Sequence, residues 1–127
     1  MEGVDTNVLV RYFVNDDVLQ HKLAKKFIDG NDIFIGSIVL VESFWVWKKL
    51  YKLSKENIEQ IFNHIKRSSN INVEDEVVFF KASSIYAELG CDFGDAMIVA
   101  VNSDKVTETV TFDKSAAKKL GMRLLVR

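Results

Sequence analysis

Polar and apolar residues follow two periods along this chain, one typical of helices and one typical of strands. Apolar residues recur at helical spacing in seven segments, which begin near residues 6, 18, 38, 55, 75, 93 and 114. Between them lie short apolar or β-branched runs that predict strands: "EGVD", "IFIG", "INVE", "TETVTF" and "MRLLV". Ser37 and Ser54 are predicted to cap helices, and Gly30 and Gly121 to end them.

This succession of strands and helices indicates one fold class. Parallel strands need helical crossovers, and the crossover helices cover both faces of the sheet. We therefore expect an α/β protein with three layers, α/β/α, and a central parallel sheet of four or five strands. The length of 127 residues fits a single domain spanning residues 1–127.

Composition narrows the class of protein. Hydrophobic residues make up 48% of the chain, and 17 basic against 18 acidic residues give a net charge of −1, so we expect a globular protein. No apolar run reaches membrane-spanning length, "MEGVDTNVLV" does not resemble a signal peptide, and the single Cys91 suits a reducing compartment. A cytoplasmic location is therefore expected. Local lysine clusters such as "DKSAAKKL" could guide a phosphate backbone toward an acidic site.

Four acidic residues, far apart in sequence, are predicted to meet at one edge of the sheet. Asp5 and Asp113 follow strands, Glu42 lies about one turn into the helix after "IFIG", and Asp95 opens a helix that runs down the sheet. In this fold class ligands bind where the strands end. Each acid also has a simpler explanation: Asp5 and Asp113 fit helix N-caps, and Glu42 fits an exposed helix position. Asp92 fits the N-cap of the next helix, and Asp95 could reach back to its backbone, although a capping box prefers Glu or Gln at that position.

Close approach of four carboxylates requires a cation, because their mutual repulsion would otherwise raise their pKa values. Oxygen ligands without Cys or His favour Mg²⁺, or Mn²⁺. Such an ion can position a phosphodiester and activate water.

The helix that carries Glu42 is apolar around most of its circumference. Phe44, Trp45 and Trp47 lie on its apolar sectors, and a helix of this kind is buried on more than one side. Either it is a central core helix, or one side contacts another chain. We expect these three aromatic residues to form part of a partner interface.

Four motifs resemble the PIN-domain family, in order and over nearly the whole chain: "GVDTNVLVRYFVNDD", "VLVESFWVW", "DFGDAMIVAVN" and "VTFDKSAAKKLG". The short length and the opening motif resemble the VapC-type toxins of type II toxin–antitoxin systems most closely. The resemblance implies a PIN fold and a Mg²⁺-dependent endoribonuclease whose products have 5′-phosphate and 3′-hydroxyl ends.

The resemblance also implies roles for individual residues. The acidic quartet of the family matches Asp5, Glu42, Asp95 and Asp113, with Asp5 and Asp95 as the principal metal ligands. Thr6, Asn7 and Thr111 match polar positions beside the acids, and Asp92 is a further candidate for a supporting role. The implied partners are RNA, a second copy of the chain in a homodimer, and an antitoxin that blocks the acidic pocket.

Three other interpretations stay open at this point. The first is a PIN nuclease of RNA processing or DNA cleavage, and the second is a non-catalytic PIN-like interaction module, which the complete quartet argues against. The third is a phospho-acceptor receiver domain. That class usually has adjacent acids after its first strand and a lysine ending its last main strand, whereas Asp5 stands alone and the chain ends "LLVR".

Overall fold

The structure, a computed structural model, describes residues 1–126 and contains helices and strands in the predicted succession. The described helices are α1 (Thr6–Phe13), α2 (Val18–Asp29), α3 (Ser37–Lys49), α4 (Lys55–Arg67), α5 (Glu76–Leu89), α6 (Phe93–Asn102) and α7 (Lys114–Leu120). The described strands are β1 (Glu2–Gly3), β2 (Ile33–Ile35), β3 (Ile71–Val73), β4 (Val110–Thr111) and β5 (Arg123–Leu124). The α/β class is confirmed, and none of the described helices is long and apolar enough to cross a membrane.

The sheet differs from the prediction in its size. Strands β1, β2 and β3 form one parallel sheet in that order, and β4 and β5 form a separate parallel pair. The expected single sheet of four or five strands is therefore wrong, because the largest sheet of the described residues has three. Each strand is only two or three residues long, so few backbone groups are available for ladder hydrogen bonds, and β1 is exposed rather than buried.

The chain divides into two compact units. Unit 1 is Met1–Glu76, which contains the three-stranded sheet and helices α1 to α4; unit 2 begins at Val77 and contains the β4–β5 pair. The expectation of one domain over residues 1–127 stays a prediction.

Unit 1 has a core of aliphatic and aromatic side chains from every helix and from the sheet. Helix α1 packs on both α2 and α3. The fully buried side chains in this core include Leu9, Ile28, Ile33, Ile35, Leu40, Trp47, Ile58 and Phe62. The alternation in β2 follows from this packing, since Ile33 and Ile35 point inward while Phe34 is partly exposed.

Unit 2 is built on small residues that let its helices approach closely. Ala96 and Ala100 of α6 and Ala116 of α7 are buried, and α6 packs on α7. The ring of Phe79 in α5 meets that of Phe93 edge to face, with centroids 6.3 Å apart. Gly121 ends α7 with a φ of 69°, as predicted, because this left-handed conformation suits glycine.

One predicted helix cap is replaced by a distant side chain. Ser54 caps α4 as expected, but Ser37 is the first residue of α3 and makes no capping bond with its side chain. Instead the backbone N–H of Ser37 donates to Oε1 of Glu74, at 3.0 Å. A carboxylate at a helix N-terminus satisfies an orphan donor and is favoured by the helix dipole.

We predict that the two tryptophans of α3 differ sharply in their contribution to stability. Trp47 is fully buried, whereas Trp45 is 53% exposed. Trp47→Ala should lower the free energy of unfolding by about 3–5 kcal/mol, and Trp45→Ala by about 1 kcal/mol or less. Urea denaturation of both variants measures this, and equal losses would contradict the packing described for α3.

Candidate active site

The first candidate acid, Asp5, begins a helix with one of its two carboxylate oxygens. Asp5 follows β1 and caps α1, with Oδ1 accepting from the backbone N–H of Val8 at 3.1 Å. Among the described residues, no hydrogen bond is made to its other oxygen, and the side chain is exposed. The capping role and the metal-ligand role predicted for Asp5 are therefore compatible, because they need different oxygens.

Glu42 is joined to the residue that follows Asp5. The hydroxyl of Thr6 donates to Oε1 of Glu42 at 2.9 Å, which ties the first turn of α1 to the second turn of α3. Both helices start where their strands end, so the parallel β1–β2 pairing brings their first turns to the same edge. In unit 1 the structure thus joins Glu42 to Thr6, the residue that follows Asp5.

A groove lies beside Asp5 between α1 and α2. It has a volume of about 670 Å³, and its lining includes Asp5 and Asn7 together with Arg11, Leu23 and Phe27. Leu23 and Phe27 keep 60% and 39% of their surface exposed. The groove was not predicted from the sequence. The spacing of Leu23 and Phe27, one turn apart on α2, indicates that they share one face of the helix and could have suggested an apolar surface there.

The acids of unit 2 form a second group. Asp92 caps α6 by accepting from the N–H of Asp95 at 3.0 Å. Asp113 caps α7, and its Oδ1 accepts from Ser115 at 2.8 Å and from Ala116 at 3.1 Å. Thr111 supports this second cap, because its hydroxyl accepts from the N–H of Asp113 at 3.0 Å.

The pKa of Asp95 is raised by its environment, which includes the other two acids of unit 2. Burial raises the pKa of the Asp95 carboxyl above its ordinary value of 3.8, and the carboxylates of Asp92 and Asp113 raise it further. Neighbouring negative charges disfavour ionisation unless a cation compensates them. Unit 2 therefore holds Asp95 in a field that favours a proton or a metal ion at that position.

The donor set fits a hard divalent cation by its chemistry. The four candidate acids are carboxylates, which are the ligand type that Mg²⁺ and Mn²⁺ prefer, and Asp5 and Asp113 each cap a helix with one oxygen only. Within neither unit do three His, Cys, Asp or Glu side chains of residues 1–126 form a ready-made group for a metal. Asp5 and Glu42 belong to one unit and Asp95 and Asp113 to the other; convergence of all four stays a prediction.

Two of the three aromatic residues of α3 that were predicted to contact a partner are buried instead. Phe44 and Trp47 are buried in the core of unit 1, with 3% and 0% of their surface exposed. They point inward because α3 packs on α1 and α4 through that side. Of the three aromatic residues, Trp45 is the one whose ring another chain could contact.

We predict that Asp92 contributes to stability through its cap and not through its charge. Asp92→Ala should lower the free energy of unfolding by about 1 kcal/mol, whereas Asp92→Asn should retain the cap and lose no stability, because it also removes the repulsion between Asp92 and Asp95. Thermal unfolding of the two variants tests this, and an equal loss in both would show that the charge is what matters.

We also predict that Asp95 destabilises the metal-free protein at neutral pH. Because its pKa is raised in the folded state, stability is lost as pH rises from 3.8 through the folded-state pKa. Asp95→Asn should therefore unfold at a higher temperature than the wild type in EDTA at neutral pH, and the gain should disappear as pH falls to 3.8. The exposed Asp104, changed to Asn, is the control. A gain that persists in acid would contradict this explanation.

Comparison with known proteins agrees with the geometry. The family described as "PIN domain" matches residues 4–120, a range that includes all four candidate acids and parts of both units. No curated protein sequence matches the chain. PIN domains have a three-layer α/β/α fold and are generally metal-dependent nucleases, so the predicted fold class and family resemblance are confirmed. The chain belongs to the PIN-domain family.

Proposed function

We propose that this PIN-domain protein is a Mg²⁺-dependent endoribonuclease, the toxin of a type II toxin–antitoxin system of the VapBC kind. The observation that carries the nuclease part is the PIN-domain match over residues 4–120, a range that contains Asp5, Glu42, Asp95 and Asp113. The raised pKa of Asp95, caused by burial and by the carboxylates of Asp92 and Asp113, is consistent with a cation at that position. The choice of RNA and of a toxin role rests on the resemblance of the opening motif "DTNVLVRYF" and on the short chain.

In this proposal, Asp5 and Asp95 would hold the metal ion, and Glu42 and Asp113 would complete the acidic site. A bound Mg²⁺ would supply charge stabilisation at the phosphate oxygens and a more acidic water. Thr6 fixes one oxygen of Glu42, which leaves the other oxygen to orient the attacking water and accept its proton. Thr111 and the cap of α7 hold Asp113 in place, and Asn7, on the groove beside Asp5, can donate to a phosphate.

The proposed setting is the cytoplasm, with two protein partners. A second copy would form a homodimer, and a cognate antitoxin would block the acidic residues. A basic side chain inserted among the carboxylates is the chemistry that would achieve this, because charge-assisted hydrogen bonds to carboxylates are strong. On α3, Trp45 is the candidate contact for one of these chains.

The decisive prediction concerns cleavage by matched variants. Wild-type protein with Mg²⁺ should cut RNA to 5′-phosphate and 3′-hydroxyl ends. Asp95→Asn should lower kcat/KM by at least about 100-fold, because losing a ligand exceeds the 10- to 100-fold typical of residues that only support ligands. Asp104→Asn should cut as the wild type does, and EDTA should stop all cleavage. Mapping the new ends on cellular RNA measures both products and sites.

Separate outcomes would overturn separate parts of the proposal. Cleavage of single-stranded DNA but not RNA would favour a DNA-cleaving PIN nuclease. RNA cleavage without growth arrest on expression would favour a nuclease of RNA processing over a toxin. Equal activity of wild type and Asp95→Asn would remove the acidic site from the mechanism, and no cleavage of either polymer would favour an interaction module.

A further inference from the structure

Helix α7 has an exposed face made of lysines. The helix spans Lys114–Leu120 and follows the candidate acid Asp113, whose carboxylate caps it. Its exposed residues are Lys114, Ser115, Lys118 and Lys119. The three lysines are termed the lysine face. This face carries three positive charges and no large apolar side chain, unlike the surface beside strands β4 and β5, where Phe112 is exposed.

The charges of the lysine face are not neutralised within the helix. Of the ion pairs formed within residues 1–126, none involves a residue of this face. Lysines of other helices differ, since Lys25 of α2 and Lys55 of α4 each pair with an acid one turn later on the same helix, at 2.9 and 3.0 Å. Helix α7 contains no acid between its first and last residues, so its three ammonium groups are available to an anion from another molecule.

The position of Lys114 is unfavourable for the helix itself. Lys114 is the first residue of α7, where the helix dipole disfavours a positive charge. It also precedes Lys118 by four residues, and like charges at this spacing repel each other. Lys118 and Lys119 lie in the last turn, where the dipole favours a positive charge. Helix stability therefore explains the two later lysines but not Lys114, whereas an anionic ligand along the face would favour all three.

Both ends of the lysine face lie near candidate acids of unit 2. At one end Lys114 directly follows Asp113. At the other end the charge of Lys119 acts on Cys91, the residue before Asp92: burial raises the pKa of the Cys91 thiol and the nearby carboxylates add to this, whereas Lys119 opposes the rise. Interactions between charges near a protein surface are largely screened beyond about 10 Å. The face thus runs beside the acids of unit 2 and not on a remote surface.

We propose that the lysine face binds phosphates of the substrate RNA that flank the cleaved bond. The inference rests on the proposed ribonuclease function and adds a backbone-binding site to it. Phosphate contacts carry no sequence information, so the face should hold and position an RNA strand whatever its bases. Its positive charge also offsets the repulsion between the phosphates of the strand and the carboxylates of the acidic site.

The polar character of this face favours nucleic acid over a protein partner. The buried core of a protein–protein interface is apolar, and lysine is depleted in such interfaces. Release of counterions from a nucleic-acid backbone, by contrast, needs only positive charges along its path. RNA that extends beyond the cleaved bond should therefore contribute binding energy, and an RNA too short to reach α7 should be a poorer substrate.

The first test measures how salt weakens RNA binding. Asp95→Asn protein without Mg²⁺ binds a fluorescent RNA oligonucleotide that the wild type cleaves, so that the RNA stays intact. The lysine triple variant carries Lys114→Gln, Lys118→Gln and Lys119→Gln in addition. Each phosphate contact on a single strand contributes about 0.7 to the slope of log K against log salt, so the triple variant should have a slope smaller by about 2. Between about 50 and 200 mM salt it should lose about 20-fold less affinity than its parent.

A second triple variant with the same change of net charge is the control. Lys48, Lys49 and Lys52 are exposed residues of unit 1 that form no ion pair within residues 1–126. Their replacement by Gln in the same Asp95→Asn protein should leave the slope of the parent. Circular dichroism should show that both triple variants are folded. Equal slopes for the two triple variants would overturn the inference.

The second test varies the length of the RNA, with Asp95 intact and Mg²⁺ present. The lysine triple variant should have a lower kcat/KM than the wild type on a long RNA, mainly because KM rises. On a short RNA that keeps only the nucleotides next to the cleaved bond, the two proteins should be equal. Equal losses on both lengths would indicate damage to the acidic site itself and would overturn the inference.

The tests separate this inference from the proposed function. Cleavage by the wild type without any effect of the lysine triple variant overturns the inference and leaves the ribonuclease proposal standing. A reduced salt slope in the lysine triple variant, with no cleavage by the wild type, supports the backbone site and removes the enzymatic assignment. Loss of self-association in the lysine triple variant with unchanged RNA binding would assign the face to a protein partner and overturn the inference.

Discussion

Three acidic residues of the candidate site are held by one interaction, the capping of a helix N-terminus by an aspartate. Asp5, Asp92 and Asp113 each accept backbone N–H groups at the start of α1, α6 and α7. The bond fixes the rotamer of the side chain and satisfies donors that would otherwise lack a partner. Because one oxygen is enough for the cap, the other oxygen keeps its lone pairs. The same contact therefore begins the helix and fixes the orientation of the carboxylate.

The caps of α6 and α7 place the carboxylates of Asp92 and Asp113 near Asp95, and the resulting repulsion destabilises the ionised form of Asp95. Its pKa is raised by burial and by the carboxylates of Asp92 and Asp113. Selection for stability alone would remove such repulsion between carboxylates. Active sites, by contrast, commonly retain groups that destabilise the protein until a ligand binds. The repulsion is a physical reason for metal affinity, because a divalent ion removes it and a monovalent surface lysine does so only in part.

The sequence predicted the order of the elements and the local environment of the acids better than it predicted the sheet. The N-caps at Asp5, Asp92 and Asp113 follow from the preference of aspartate for that position. Sheet size could not be read in the same way, because β4 spans two residues and pairing depends on distant segments. The cap of α3 shows the same limit: the residue that fills this role, Glu74, is 37 positions away from Ser37. The burial of Phe44 and Trp47 was also beyond the helical pattern, which is apolar on several sides.

The bond between Glu74 and the N–H of Ser37 has a consequence for the order of events during synthesis. Helix α3 carries Glu42, and its first turn is secured by a carboxylate that lies just after β3. A nascent chain that has not yet released residue 74 lacks this contact as well as the β2–β3 ladder. Asp5, Thr6 and Glu42 thus emerge early, but their arrangement waits for a segment made much later. Asp95 and Asp113 follow later still, so a ribosome-bound fragment that ends before residue 95 lacks two of the four candidate acids.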